Sequence, residues 1–322
     1  VMGDASLKVD VLNTTYNIKD SILIDPNGLT FRNNRIFDTQ GHQGRVNGSL
    51  RYQHFKNLAY HFNFNVNNML VMNTVESPDF PFYGIVYGTG NATIAGNIHD
   101  GVTVDVAMTT NRNTNFTYIK DNVTSATSNQ FIQFVDKTPK RITHDSSLLS
   151  DYEIAQREME EEKEKEGDTD IRLNLQIDAT PDATMRIIMD PIAGDYISAR
   201  GSGNIRTEFF NKGDVKMFGN YRIGQGIYKF SLQEIIRKDF LIEEGSTISF
   251  NGSPVNAFLN IRANYTVNSA SLNDLIPNAN EYVNQTNVKV NCIMAISGQL
   301  TSPDTKLDLK LPNEREEVQA LV

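Results

Sequence analysis

The chain contains no tryptophan and only one cysteine among its 322 residues. The lone thiol of Cys292 excludes an intrachain disulfide and a cysteine-based zinc site. Cys292 alternates with Val290 and Met294 at the spacing of a strand, so we interpret it as a small core residue. No apolar run of about eighteen residues is present, and the start lacks a basic and then apolar signal. We expect the chain to be part of a longer polypeptide whose targeting or anchoring segments lie outside it.

The chain also lacks a basic stripe, and its net charge is -9. Nucleic-acid binding needs clustered lysine and arginine, so we expect no nucleic-acid partner. Residues 151–166 carry eight acidic side chains against three basic ones. Ser150 and Glu153 have the spacing of a capping box, which predicts a helix that ends before Gly167. We interpret this acidic insert as a solvated helix or connector, with a docking surface for a basic partner as the alternative.

No constellation of catalytic or metal-binding residues stands out. The five histidines, His42, His54, His61, His99 and His144, have no metal-ligand spacing. The glycine-rich residues 88–91 and 201–204 lack the helix and the lysine of a phosphate-binding loop. Neighbouring strand residues point to opposite faces, so Glu243 and Glu244 do not form a carboxylate pair. We therefore expect no enzyme activity, no cofactor and no metal.

What the chain does contain is alternation of apolar and polar residues with a period of two. In residues 1–136, Phe62 and Phe64 alternate with asparagines, and turn signals recur about every ten residues. After the insert, Leu173, Leu175 and Ile177 continue the pattern. Residues 180–183, which contain Pro181, are predicted to turn the chain. These features predict an all-β fold.

The longest stretch with consistent strand and turn signals is residues 224–265. Residues 243–245 are predicted to turn the chain, as are residues 251–254. Gly245 and Gly252 stand where a tight connection favours positive φ, and Pro254 is predicted to begin a strand.

This order of features resembles the C-terminal domain of the TamB-like, AsmA-related envelope proteins. The match rests on Gly226, Tyr228, Phe230, Phe240, Ile242, Gly245, Ile248, Phe250, Gly252, Pro254, Leu259, Ile261, Ala263 and Tyr265. A second element, residues 297–304, is similar to the segment that follows in that family. The resemblance covers roughly residues 169–322.

The resemblance implies an elongated, curled and mostly antiparallel sheet, a taco-shaped trough with a hydrophobic interior. We expect a β region over residues 1–137 that extends the trough, the charged insert over 138–168, and the TamB-like domain over 169–322. The residues expected to line the groove are Leu173, Leu175, Ile177, Met185, Ile187, Tyr228, Phe230, Phe240, Ile242, Ile248, Phe250, Leu259, Ile261, Val288, Val290 and Leu300. Each of them is equally compatible with a closed core.

The resemblance also implies a non-enzymatic role in the periplasm of a diderm bacterium. The groove would shield phospholipid acyl chains or nascent β-strands, for outer-membrane protein assembly or for phospholipid transport between the membranes. The implied partners are an Omp85-type outer-membrane barrel and the inner membrane, which an anchor outside this chain would reach. A closed β-sandwich adhesin or surface-binding module is the alternative, because both folds produce the same alternation. A carbohydrate-active enzyme ranks third, and it would need a carboxylate pair.

Overall fold

A computed structural model of the chain describes residues 5–53, 56–77, 80–97, 101–120, 170–232, 236–271, 287–315 and 319. The acidic insert predicted at 138–168 and its capping box lie outside these residues. Within the described residues, no helix is long and apolar enough to cross a membrane.

The described residues form one sheet of 18 strands, which confirms the predicted all-β fold. The strands are β1 Ala5–Val9, β2 Thr14–Ile18, β3 Leu23–Asp25, β4 Gly28–Phe37, β5 Gln43–Gln53, β6 Lys56–Thr74, β7 Phe82–Asn97, β8 Gly101–Thr110, β9 Asn115–Ile119, β10 Ile171–Ala179, β11 Thr184–Asp190, β12 Asp195–Phe210, β13 Lys216–Leu232, β14 Ile236–Ile242, β15 Thr247–Gly252, β16 Phe258–Ser271, β17 Asn287–Gln299 and β18 Ser302–Lys310. Short 3-10 helices span Asp10–Leu12 and Pro254–Asn256.

Strand pairing is antiparallel throughout the sheet except at one seam. From β4 to β8, and again from β12 to β18, strands that follow one another in the sequence pair side by side, except that β14 and β15 both lie between β13 and β16. At the seam, β10 runs parallel to β8, and β11 runs parallel to β9. Parallel neighbours need a long crossover connection, and residues 121–169 connect the two sides of this seam.

Register shifts and breaks in several neighbouring strands are aligned across the sheet, along a line that we call the crease. The β6–β7 register shifts between Val66 and Met69, and the β12–β13 register shifts between Arg200 and Gly201. At this height, residues 111–114 separate β8 from β9, residues 180–183 separate β10 from β11, and residues 243–246 separate β14 from β15. Bulges and breaks bend a strand, so the aligned interruptions bend the whole sheet.

Two segments of the crease were predicted from the sequence to be turns, and this prediction is wrong for both. Residues 180–183 do not reverse the chain, because β10 and β11 both run antiparallel to β12. Residues 243–245 do not reverse it either, since β14 and β15 both run antiparallel to β13. In each case the two strands lie end to end beside the same neighbouring strand, and the predicted hairpin is a short interruption between them. Pro254 likewise begins a 3-10 helix and not a strand, because β15 ends at Gly252 and β16 starts at Phe258.

One face of the sheet, which we call the inner face, is buried over its C-terminal half. Ile197, Ile223, Ile248 and Leu259 have no exposed surface there. They belong to one hydrophobic cluster, which we call the C-terminal cluster and which has residues from both sides of the crease. The described residues provide no second layer, so the sheet buries these side chains by folding over on itself. The opposite face is called the outer face.

A second, smaller cluster lies on the inner face of the N-terminal strands. It contains Ile36, Val46, Val66 and Met69 as buried residues. Tyr16 of β2 packs against this cluster, and its hydroxyl donates a hydrogen bond of 2.9 Å to the carbonyl oxygen of Leu70. The β1–β2 hairpin therefore covers part of the inner face of β6.

Asp38 stabilises the junction between the β4–β5 turn and β6. Its side chain is 1% exposed. The carboxylate accepts hydrogen bonds from the backbone N–H groups of Gln40, His42 and Leu70 and lies 2.8 Å from His42 Nδ1. Burial raises the pKa of Asp38, but these donors outweigh it, so the net pKa is lowered.

We predict that Asp38→Ala lowers the free energy of unfolding at pH 7 by about 1–3 kcal/mol, because it leaves buried N–H groups without an acceptor. The lowered folded pKa means that the contribution of the ionised carboxylate is present above the unfolded pKa of about 3.9. That contribution is lost as the pH falls through the folded pKa. Urea denaturation at pH 7 and at about pH 3 should show a smaller difference between wild type and variant at the lower pH. An equal difference at both pH values would contradict the role of the ionised carboxylate.

Candidate functional site

The candidate site is a half-buried apolar strip on the inner face, which we call the open strip. It crosses seven strands, β4, β5, β6, β7, β8, β10 and β12, on the side of the crease that contains β8 and β10. The strip consists of Leu29, Phe31, Leu50, Phe62, Phe64, Ala92, Ile94, Val104, Val106, Leu173, Leu175, Ile177, Ile205 and Phe209. All of these residues are intermediate in burial, whereas the central residues of the C-terminal cluster, such as Ile223 and Leu259, are buried.

Strand register makes the open strip continuous. Phe64 lies opposite Ala92, which in turn lies opposite Val106. Val106 pairs across the seam with Leu175. Six strand spacings of about 4.8 Å give the strip a length of about 29 Å across the sheet.

None of the residues that form the open strip carries a charge. Tyr60 and Thr207 add hydroxyl groups at inner-face positions beside the strip. Phe31 and Phe62 form an edge-to-face pair with ring centroids 5.4 Å apart. A surface of this kind binds by exclusion of water from apolar groups and offers no headgroup-specific contact.

The outer face of the same strands is polar. Asn65 Nδ2 donates to Asn91 Oδ1 at 2.7 Å, and Asn174 Nδ2 donates to Asp105 Oδ1 at 2.7 Å. These residues are exposed and alternate with those of the open strip. The alternation predicted from the sequence thus separates a hydrated outer face from an apolar inner one.

The structure divides the sixteen residues predicted to line a groove into two sets. Six are half-buried, namely Leu173, Leu175, Ile177, Met185, Phe230 and Phe250. Ten are buried, namely Ile187, Tyr228, Phe240, Ile242, Ile248, Leu259, Ile261, Val288, Val290 and Leu300. Only Leu173, Leu175 and Ile177 belong to the open strip. Eight of the buried residues pack in the C-terminal cluster, and Val288 and Val290 pack with Leu311 in a smaller cluster.

The N-terminal members of the open strip were missed as site residues. Phe62, Phe64, Val104 and Val106 show the same period-two alternation in the sequence as the residues that were chosen. The family resemblance stated from the sequence began near residue 169, so it did not extend to them. The signal that could have found them is the parallel seam, which places Val106 beside Leu175.

Asp195, the first residue of β12, is a half-buried acidic group near the C-terminal cluster. Burial raises the pKa of its carboxyl, the backbone N–H of Ser231 opposes that shift, and the charge of Asp190 adds to it. The N–H of Ser231 donates to Asp195 Oδ1 at 2.6 Å. Burial, together with the neighbouring Asp195, also raises the pKa of the Tyr228 hydroxyl. Tyr228 belongs to the C-terminal cluster and not to the open strip.

Within the described ranges, no group of three or more histidine, cysteine, aspartate or glutamate side chains is placed to hold a metal ion. The residues of the open strip are all apolar, so the strip can bind a ligand by burial of apolar surface.

We predict that Ile261→Ala and Leu175→Ala differ in their effect on stability. Ile261 is 1% exposed, so its truncation should cost about 2–5 kcal/mol of unfolding free energy through lost burial and a cavity. Leu175 is only half-buried, so Leu175→Ala should cost about 1 kcal/mol. Urea denaturation of both variants measures the difference. Equal losses would show that the open strip is packed as tightly as the C-terminal cluster.

Comparison with known proteins extends the sequence resemblance over most of the chain. The family model described as the TamB C-terminal domain matches residues 30–322, from the third residue of β4 past the end of β18. A search of curated proteins finds no match to this chain. The matched region includes both sides of the seam, the open strip except for Leu29, and the C-terminal cluster. The chain belongs to the TamB family of envelope proteins, as the resemblance of its residues 224–265 predicted.

Proposed function

We propose that this chain shields a hydrophobic client on its open strip as part of a TamB-like protein of the bacterial envelope. The client is a phospholipid acyl chain or a nascent outer-membrane protein strand. The protein would serve outer-membrane protein assembly, phospholipid transport between the membranes, or both. The observation that carries the proposal is the open strip, which is continuous, uncharged and half-buried.

The energetics support an apolar client. Burial of one methylene group is worth about 0.8 kcal/mol, so an acyl chain gains affinity along the whole strip without any specific contact. The hydrated outer face keeps the protein compatible with an aqueous compartment. The half-burial of the open strip supports a client path across β4 to β8, β10 and β12.

The family relationship supports the rest of the proposal. TamB-type proteins are components of a translocation and assembly module, and their context implies association with outer-membrane proteins. For this chain we propose a periplasmic location, an inner-membrane anchor in the full-length protein, and an Omp85-type barrel as partner. We further propose that the role is non-enzymatic and needs no cofactor, because the site offers apolar surface alone.

We predict that Leu175→Asp removes the client without unfolding the protein. The new carboxylate would have to lose its hydration whenever an acyl chain covers the strip, which is strongly unfavourable. Leu175 is half-buried, so the variant can keep the carboxylate hydrated when the strip is empty. Mass spectrometry of organic extracts should find phospholipid with the purified wild type and little or none with Leu175→Asp.

The matched control is Gln176→Asp, which introduces the same charge one residue away on the exposed outer face. It should retain the wild-type amount of phospholipid. A photo-crosslinking amino acid at position 175, compared with one at position 176, identifies a protein client if adducts form only at 175. Wild type without phospholipid and without position-specific adducts would refute the proposal and favour a closed β-sandwich adhesin. Undiminished phospholipid in the folded Leu175→Asp variant would refute the open strip as the binding site.

A further inference from the structure

A cleft on the outer face has the chemistry of a small-ligand site and lies apart from the open strip. It occupies the crease at the parallel seam and has a volume of about 490 Å³. Its walls include Arg112, Asp182, Thr184 and Arg200. The cleft exists because two breaks lie side by side at the seam: residues 111–114 separate β8 from β9, and residues 180–183 separate β10 from β11.

The cleft faces away from the hydrophobic interior. Thr184 and Arg200 are next in sequence to Met185 and Ala199, which belong to the C-terminal cluster on the inner face. Neighbouring strand residues point to opposite faces, so Thr184 and Arg200 point outward. The sheet itself separates the cleft from any client on the open strip.

The walls of the cleft are held in place by hydrogen bonds across the seam. The backbone N–H of Thr184 donates to the carbonyl oxygen of Thr114 at 2.9 Å. The N–H of Thr180 donates to Thr110 Oγ1 at 2.9 Å, and the Thr114 hydroxyl donates to the carbonyl oxygen of Tyr87 at 3.2 Å. The two interruptions are therefore fixed relative to each other, which reduces the entropy lost when a ligand binds.

Three charged groups in the cleft are available to a ligand. Arg200 Nε donates to Thr184 Oγ1 at 3.1 Å, which orients the guanidinium and leaves its terminal amino groups for another acceptor. Across the part of the chain that the structure describes, no ion pair engages Arg112, Arg200 or Asp182. All three side chains are exposed and line the same cleft.

We propose that this cleft binds a phosphate ester that also carries an ammonium group. Two guanidinium groups match the oxygens of one phosphate, which they bind through charge-assisted hydrogen bonds. The carboxylate of Asp182 would repel a bare anion but pairs with an ammonium group. A cavity of about 490 Å³ is larger than inorganic phosphate requires and lies within the usual range for small-molecule sites.

Isothermal titration calorimetry with O-phosphoethanolamine and with inorganic phosphate tests this site. Phosphoethanolamine should bind more tightly than phosphate. Arg112→Gln and Arg200→Gln should each weaken the binding of both ligands by roughly tenfold or more, since each substitution removes a charge-assisted hydrogen bond. Asp182→Asn should weaken the binding of phosphoethanolamine and leave that of phosphate equal or tighter.

The matched control is Arg262→Gln, because Arg262 lies outside the cleft and its Nε is 3.7 Å from Glu243 Oε2. This variant should bind both ligands as the wild type does. Absence of heat with both ligands, or unchanged binding in the Arg112 and Arg200 variants, would overturn the site. Equal effects of Asp182→Asn on both ligands would overturn the ammonium contact.

The source of the ligand is distinguished with vesicles of phosphatidylglycerol, whose headgroup has no ammonium group, with and without phosphatidylethanolamine. Cosedimentation with the phosphatidylethanolamine vesicles that Arg200→Gln abolishes would assign the site to a lipid headgroup. Calorimetric binding without cosedimentation would assign it to a free phosphate ester. The Leu175→Asp variant should bind phosphoethanolamine normally, so failure of the open strip and failure of the cleft are distinguishable.

Discussion

The constraint on which the rest of the structure depends is that one sheet must bury its own apolar face. The described residues contain no second sheet and no helical layer to cover it. The aligned interruptions at the crease supply the bend, and without them Ile223 and Leu259 would remain in water. At about 25 cal/mol for each Å² of apolar surface removed from water, this burial is the main driving force available to the fold. The interruptions are therefore as important to stability as the apolar side chains.

The same constraint explains why burial varies along the inner face. The C-terminal half, where Ile197 and Ile248 have no exposed surface, has folded over completely. The N-terminal half is covered only where Tyr16 and the β1–β2 hairpin reach β6. Between these regions the open strip stays half-buried, and none of its residues carries a charge. A single folded sheet thus combines a closed core with an open apolar surface.

The sequence was sufficient to predict the strands and their faces, because alternation in stretches such as residues 171–177 has a direct geometric meaning. The sequence was also sufficient to predict the family, because residues 224–265 resemble its C-terminal domain. It was not sufficient for the crease, since Asp182 and Gly245 occur in the same turn chemistry whether the chain reverses or only bends. Nor could alternation distinguish half-buried Leu175 from buried Ile261, because both stand on the apolar side of a strand. That difference depends on what the folded sheet places above each residue.

The parallel seam has a consequence for how the sheet assembles. Antiparallel neighbours that are joined by short connections bring together residues that are close in sequence, so the two sides of the seam can form from local contacts. Pairing of β9 with β11 instead closes a loop of about seventy residues, with a loop-closure entropy of about 3.8 kcal/mol above a constant term. The seam is thus the pairing of highest contact order in the sheet and is expected to form after its two sides. Until it forms, Val106 and Leu175 are not neighbours, and the two halves of the apolar surface exist only as separate edges.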